Sequence, residues 1–399
     1  MVKTNETKTV LSKVPEVTLY FWIIKVLCTT VGETAADFLN VNLGFGLTGT
    51  SIVMGALLLV ALFLQFKTKK YIPGVYWLTV FLISIFGTLV TDNLTDNLGI
   101  PLEVSAIVFT VVLVLTFALW YIKEKTLSIH SIFTIRREVF YWLTILFTFA
   151  LGTAAGDLMA ESLGFGYLAT ALIVCAVIAS MTVAWRLGLD SVLAFWIAYI
   201  MTRPLGASVG DLLSQSQNNG GLGLGATVTS AIFILAILLI VIFLSVSKRD
   251  LIATSRNAVT DTKRNAVFWQ TAVVVGVLVL AAGTGYFWRH ATVLNASQQG
   301  DSSGTVTQAF PQADITNFRK ITEDTQSLVQ AGNLSGAKSR VSDLETAWDT
   351  AEARLKPINK TKWTEIDNSV DKVLRQLRAA HQDAEACKTA LESLLTVLN

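Results

Sequence analysis

One short pattern occurs four times in this chain, and each copy closes an apolar run. It is a glycine, four mostly small or hydroxyl residues, then an aspartate. The copies are Gly32-Glu33-Thr34-Ala35-Ala36-Asp37, Gly87-Thr88-Leu89-Val90-Thr91-Asp92, Gly152-Thr153-Ala154-Ala155-Gly156-Asp157 and Gly206-Ala207-Ser208-Val209-Gly210-Asp211. In the first three, Leu-Gly follows the aspartate (Leu43-Gly44, Leu98-Gly99, Leu163-Gly164). In the fourth, an insertion around Asn218, Asn219, Gly220 and Gly221 delays Leu222-Gly223. A unit repeated in register must be stacked or circled, so the repeat constrains the fold before any single residue does.

The units sit in a membrane. Hydrophobic residues make up 52% of the chain and charged ones 15%. Apolar runs long enough to cross a hydrocarbon core of about 30 Å fall at 17–38, 46–66, 75–95, 102–122, 138–160, 165–185, 190–213, 224–246 and 267–288. This predicts an all-α polytopic bundle of nine helices, four two-helix repeats plus one. The polar N-terminus lacks a cleavage site of the secretory kind, so no signal peptide is expected. Cys28, Cys175 and Cys387 are too scattered for a disulfide framework or a zinc site. A net charge of +2 gives nucleic-acid binding no support.

Lysine and arginine set the expected orientation. They occupy the N-terminal segment (Lys3, Lys8, Lys13) and the loops after the second, fourth, sixth and eighth runs, including Lys67, Lys123, Arg136, Arg186 and Lys248. The loops after the first, third, fifth and seventh have none. The N-terminus and the even loops are therefore expected in the cytoplasm, with all four aspartates toward the outer face. Each two-helix unit crosses twice, so the repeats are parallel rather than inverted. The expected organisation is a cytoplasmic segment 1–16, membrane half 17–122, cytoplasmic loop 123–137, membrane half 138–246 and cytoplasmic loop 247–266. A ninth membrane helix follows at 267–288, then a polar linker 289–310 and an extracytoplasmic helical module 311–399.

In that module Val341, Leu344, Trp348, Ala351 and Leu355 recur at helical steps, with Pro357 as the stop. Ile366, Val370, Val373, Leu377, Ala380, Ala384, Cys387, Leu391, Leu394 and Leu398 then alternate steps of four and three, as in a coiled-coil seam. With a weaker segment at 314–331, this predicts a three-helix bundle or hairpin coil. The seam over 366–398 would serve as its core or bind an envelope protein or a second copy.

Seven carboxylates belong to the repeat ends: Glu33, Asp37, Asp92, Asp96, Asp157, Glu161 and Asp211. Ionisable groups inside a membrane point to function by default. An acidic ring around an axis normal to the membrane would attract cations, and oxygen-only ligands suit hard divalent ions. Asp37, Asp92, Asp157 and Asp211 are the expected ion or metal ligands, with Glu33, Asp96 and Glu161 as second ligands or proton carriers. Lys25 and Arg203 interrupt apolar runs and are expected as counter-charges. Gly32, Gly87, Gly152 and Gly206 are expected to allow close packing or a helix break, and Pro204 a break in the seventh helix. Of the two cations only Lys25 could deprotonate, because arginine stays charged. The Gly-x-Gly-Asp motif of membrane aspartyl proteases is absent, since Ala154-Ala155 and Ser208-Val209 precede Gly156-Asp157 and Gly210-Asp211. No enzyme activity and no cofactor are expected.

The four Gly-x4-Asp segments, followed by an outer helical module, resemble a family of bacterial multi-pass membrane-anchored proteins. The resemblance implies a bacterial inner-membrane protein with the bilayer as its surroundings. The expected function is an inner-membrane cation transporter or channel-like permease, of Mn or Mg type and possibly proton-coupled. The alternative is an envelope sensor or scaffold that acts through the C-terminal module.

Overall fold

In the computed structural model the described residues are 12–39, 46–98, 100–163, 165–215, 221–250, 269–271, 273–274, 276–277, 283, 310–355, 358–379 and 382–399. Among the described residues, eight helices are long and apolar enough to cross a membrane: α1 (Leu19–Asp37), α2 (Gly46–Lys67), α3 (Pro73–Asp92), α4 (Leu102–Glu124), α5 (Ile135–Asp157), α6 (Tyr167–Arg186), α7 (Ser191–Ser214) and α8 (Ala226–Ser247). The run at 267–288 lies largely outside the described residues, and those described in it are helical. The linker 289–310 is outside them except for Phe310.

The helices form two shells. In α1, α3, α5 and α7, the helices that carry the motif, 61–67% of the membrane window is buried. In α2, α4, α6 and α8 the figure is 17–28%. Side chains such as Leu59, Val111, Leu172 and Leu239 leave the outer shell apolar and exposed, as a lipid-facing surface must be. The inner helices pack in the closed order α1, α3, α5, α7 and back to α1. Each outer helix packs chiefly on the inner helix of the next repeat: α2 on α3, α4 on α5, α6 on α7, and α8 on α1. The repeats are therefore not self-contained hairpins. They interlock around a pseudo-four-fold axis, and the eighth helix closes the circle on the first.

The glycines hold this circle tight. A methyl on Gly32 would overlap Ser84 of α3, one on Gly87 Phe149 of α5, one on Gly152 Arg203 of α7, and one on Gly206 Thr29 of α1. Each partner sits three residues before the glycine of its own repeat, so one contact is made four times. A small residue also stands four beyond each glycine (Ala36, Thr91, Gly156, Gly210), the small-x3-small spacing that lets helix backbones approach. The inner helices run unbroken through the glycines, and α7 also runs through Pro204. The expected breaks at these positions do not occur. Helical geometry changes instead just past the aspartates, where the chain widens into π-helical turns at Asn93–Asn97 and Leu158–Ser162.

The C-terminal module has four helices: α9 (Gln312–Gln330), α10 (Leu334–Leu355), α11 (Lys360–Arg378) and α12 (Ala384–Val397). They pack in a square, α9 with α10 and α12, and α11 with α10 and α12. The expected three helices are thus four, and the expected unbroken seam is two helices. Ala379 is extended, and the Asp383 carboxylate caps α12 by accepting from Glu385 and Ala386 N–H. Ile366, Val370, Val373, Leu377, Cys387, Leu391, Leu394 and Leu398 are all buried in one core with the stacked pair Trp348 and Trp363. That core uses the apolar surface that self-association would need. Ala380 and Pro357 lie outside the described residues.

Candidate functional site

Three layers lie along the inner ring, and each uses a fixed position of the repeat. The first, at the end rich in lysine and arginine, is aromatic. Eleven and ten residues before each motif glycine stands an aromatic–tryptophan pair: Phe21-Trp22, Tyr76-Trp77, Tyr141-Trp142 and Phe195-Trp196. The first ring of each pair meets the tryptophan of the next repeat: Phe21 with Trp77 at 5.6 Å, Tyr76 with Trp142 at 5.4 Å, Tyr141 with Trp196 at 6.3 Å, and Phe195 with Trp22 at 5.6 Å. The Tyr76 and Tyr141 hydroxyls share a hydrogen bond of 2.5 Å. All four contacts are tilted rather than face to face, which suits the ring quadrupoles. Beneath this collar runs the chain before α1. Lys13 Nζ donates to Glu138 Oε2 at 2.7 Å and to the Phe66 carbonyl at 3.2 Å, and Gln65 donates to Glu138 Oε1 at 3.1 Å.

The second layer holds Lys25. It is 1% exposed, and Nζ has no hydrogen-bond partner among the described residues. The ammonium lies 3.6 Å from the Phe149 ring centroid and 4.3 Å from that of Tyr199. Such face-on contact is worth about 2 kcal/mol or more when desolvated.

The third layer is centred on Arg203, buried on α7. Its Nη2 donates to Glu33 Oε2 at 2.5 Å, to Thr88 Oγ1 and to Thr153 Oγ1 at 2.8 Å, and Nη1 donates to the Thr29 carbonyl at 3.2 Å. Glu33, Thr88 and Thr153 are the residues directly after the motif glycines of repeats one, two and three. The position after the glycine therefore points to the axis, and one arginine from the fourth repeat gathers the other three. Arg203 pairs with a carboxylate of a neighbouring helix, consistent with its place two turns before Asp211.

Asp37, Asp92 and Asp157 end their helices about 6 Å farther on, at 1.5 Å per residue, and Asp211 holds the same register inside α7, which runs on to Ser214. Asp92, Asp157 and Asp211 are half-buried, and each has an interaction partner. The side chains of Asp37, Asp96 and Glu161 lie outside the described residues. Among the described residues no group of three or more His, Cys, Asp or Glu is arranged to hold a metal ion. Of the expected carboxylates and counter-charges, the structure joins Glu33 to Arg203 on the axis and places Lys25 in the layer before them. Thr88 and Thr153 belong to the motif, but their meeting at Arg203 is not visible in the sequence; the aromatic pairs were missed, although they recur at a constant offset from the glycines.

The repeat seen in the structure is also the unit of a sequence family. The Repeat of Unknown Function (DUF347) matches residues 20–71, 75–126, 140–187 and 194–250. Each span holds one inner helix and the outer helix after it. The chain belongs to the DUF347 family. Each DUF347 repeat here carries one aromatic–tryptophan pair and one motif glycine, so four copies complete one ring. No curated protein and no solved structure matches the chain.

Proposed function

We propose that this DUF347 protein is a bacterial inner-membrane permease, not an enzyme. It exchanges a cation for protons along the axis of its inner ring, with its N-terminus in the cytoplasm. The observation that carries the reading is Lys25, an amine buried on that axis, held by two ring faces with no hydrogen-bond partner among the described residues. A permanent charge in such a place costs several kcal/mol, which the two ring faces offset only in part, and charged groups inside membrane bundles are retained where they serve a pathway. Lys25 can give up its charge. Arg203 cannot, and Glu33 neutralises it in place. A cation can occupy the axis when Lys25 is neutral and leave when Lys25 takes a proton back, so the total axial charge stays constant. The aspartate ends then act as an attracting mouth.

The test is exchange in proteoliposomes. The wild-type protein collapses an imposed pH gradient when cation is added outside, and Lys25→Met is at least tenfold slower while remaining folded. Equal rates for the two proteins overturn the reading. Asparagine at Asp37, Asp92, Asp157 and Asp211 together raises the half-saturating cation concentration without abolishing exchange. The scaffold alternative loses ground because the seam over 366–398 is buried within its own module.

A further inference from the structure

The surroundings of Lys25 narrow the class of cation, and this step rests on the exchange reading above. In this structure Lys25 places an alkylammonium group between the faces of Phe149 and Tyr199. The charged or titratable neighbours are few. Cys28 follows one turn along α1, and α7 supplies Arg203 and the buried Tyr199 hydroxyl, which has no hydrogen-bond partner among the described residues. The Glu33 carboxylate is taken by Arg203. This is an aromatic and soft environment. Magnesium and manganese need about six oxygen ligands, and magnesium keeps several of its waters. Ring faces replace the hydration shell only of cations that give up water easily, and quaternary ammonium ions are their characteristic ligands.

Charge arithmetic agrees. With Arg203 and Glu33 cancelling, loss of one proton from the Lys25 ammonium makes room for one positive charge. We infer that the cargo is an organic ammonium cation, exchanged one for one with a proton, and that it takes the Phe149 and Tyr199 faces that Lys25 occupies here. In the step, the N–H bond of Lys25 breaks, the proton leaves to water, and the neutral side chain swings away as the cargo's ammonium enters.

The experiment uses proteoliposomes containing the full chain, a trapped pH dye and an imposed pH gradient. Tetramethylammonium, which cannot cross as a neutral base, is compared with K⁺, Mg²⁺ and Mn²⁺ as chlorides. Tetramethylammonium is expected to collapse the gradient at least tenfold faster than in Lys25→Met liposomes, with Mg²⁺ and Mn²⁺ no faster than in protein-free ones. Phe149→Leu, verified as folded by its thermal melt, raises the half-saturating tetramethylammonium concentration at least fivefold. Exchange driven by Mg²⁺, Mn²⁺ or K⁺ but not by tetramethylammonium overturns the ammonium assignment and leaves the exchange reading standing. Failure of every cation to collapse the gradient overturns both. A folded Phe149→Leu protein with unchanged half-saturation overturns the ring-face site.

Discussion

Arg203 has contacts on all three other inner helices: Glu33 and Thr29 on α1, Thr88 on α3 and Thr153 on α5. Removing one partner of a buried pair costs more than the pair contributes, because the remaining charge keeps its desolvation penalty. Glu33→Gln is therefore expected to lower stability by about 3–5 kcal/mol, read as unfolding of the detergent-purified protein. Thr153→Val removes one neutral acceptor of a charged donor and is expected to cost about 1.5–3 kcal/mol. Arg203→Lys is not conservative, since one ammonium replaces a planar group that presents Nη2 to Glu33, Thr88 and Thr153 and Nη1 to the Thr29 carbonyl. The charged residues of this network were legible in sequence, because Lys25, Glu33 and Arg203 stand out in apolar runs. Thr88 and Thr153 were legible as hydroxyl residues of the motif, but their role as acceptors of Arg203 was not, since that requires the register around a closed ring.

At the scale of elements, the four motif glycines are points of helix contact, and Leu at Gly32, Gly87, Gly152 or Gly206 is expected to prevent assembly of the ring. Gly74, at the start of α3, is the control, because a methyl added there would meet nothing within 4 Å. Gly74→Ala should therefore express and elute in detergent like the wild type, where the motif variants aggregate. The loop after α8 provides a pH test outside the membrane. Tyr71 donates to Asp250 Oδ2 at 2.6 Å, and burial pushes the Asp250 carboxyl above its ordinary range, only partly offset by that hydrogen bond. A raised carboxyl pKa favours the folded state at low pH. Its contribution is complete below the ordinary value of 3.8 and is lost as pH rises through the raised one. Asp250→Asn is expected to flatten that part of the stability profile in melts across pH. Helix positions were readable from hydropathy to within a few residues. The seam over 366–398 misled because its periodicity passes straight through a turn. The signal against one long helix was Asp383, an N-cap residue directly before Ala384.

For the whole molecule, sequence established the number of repeats and their parallel sense but not how they interlock. Mean hydropathy is higher in the outer helix of every repeat, a signal of which helix faces lipid that locating the apolar runs alone does not use, and here the less exposed helix is the one with the motif. Nor does a repeat show whether its two helices pack on each other or on the next copy. The C-terminal module has its own core and four mutually packed helices, so residues 310–399 alone are expected to be soluble and to melt cooperatively. Removing them should leave the membrane ring folded and its exchange activity intact. The central claim is that a cation and a proton compete at Lys25, and proton release on cation binding tests it most directly. Tetramethylammonium added to purified protein in weakly buffered detergent solution is predicted to release about one proton per wild-type chain and none from Lys25→Met. Binding without proton release from the wild type, or equal release from the variant, would contradict the account.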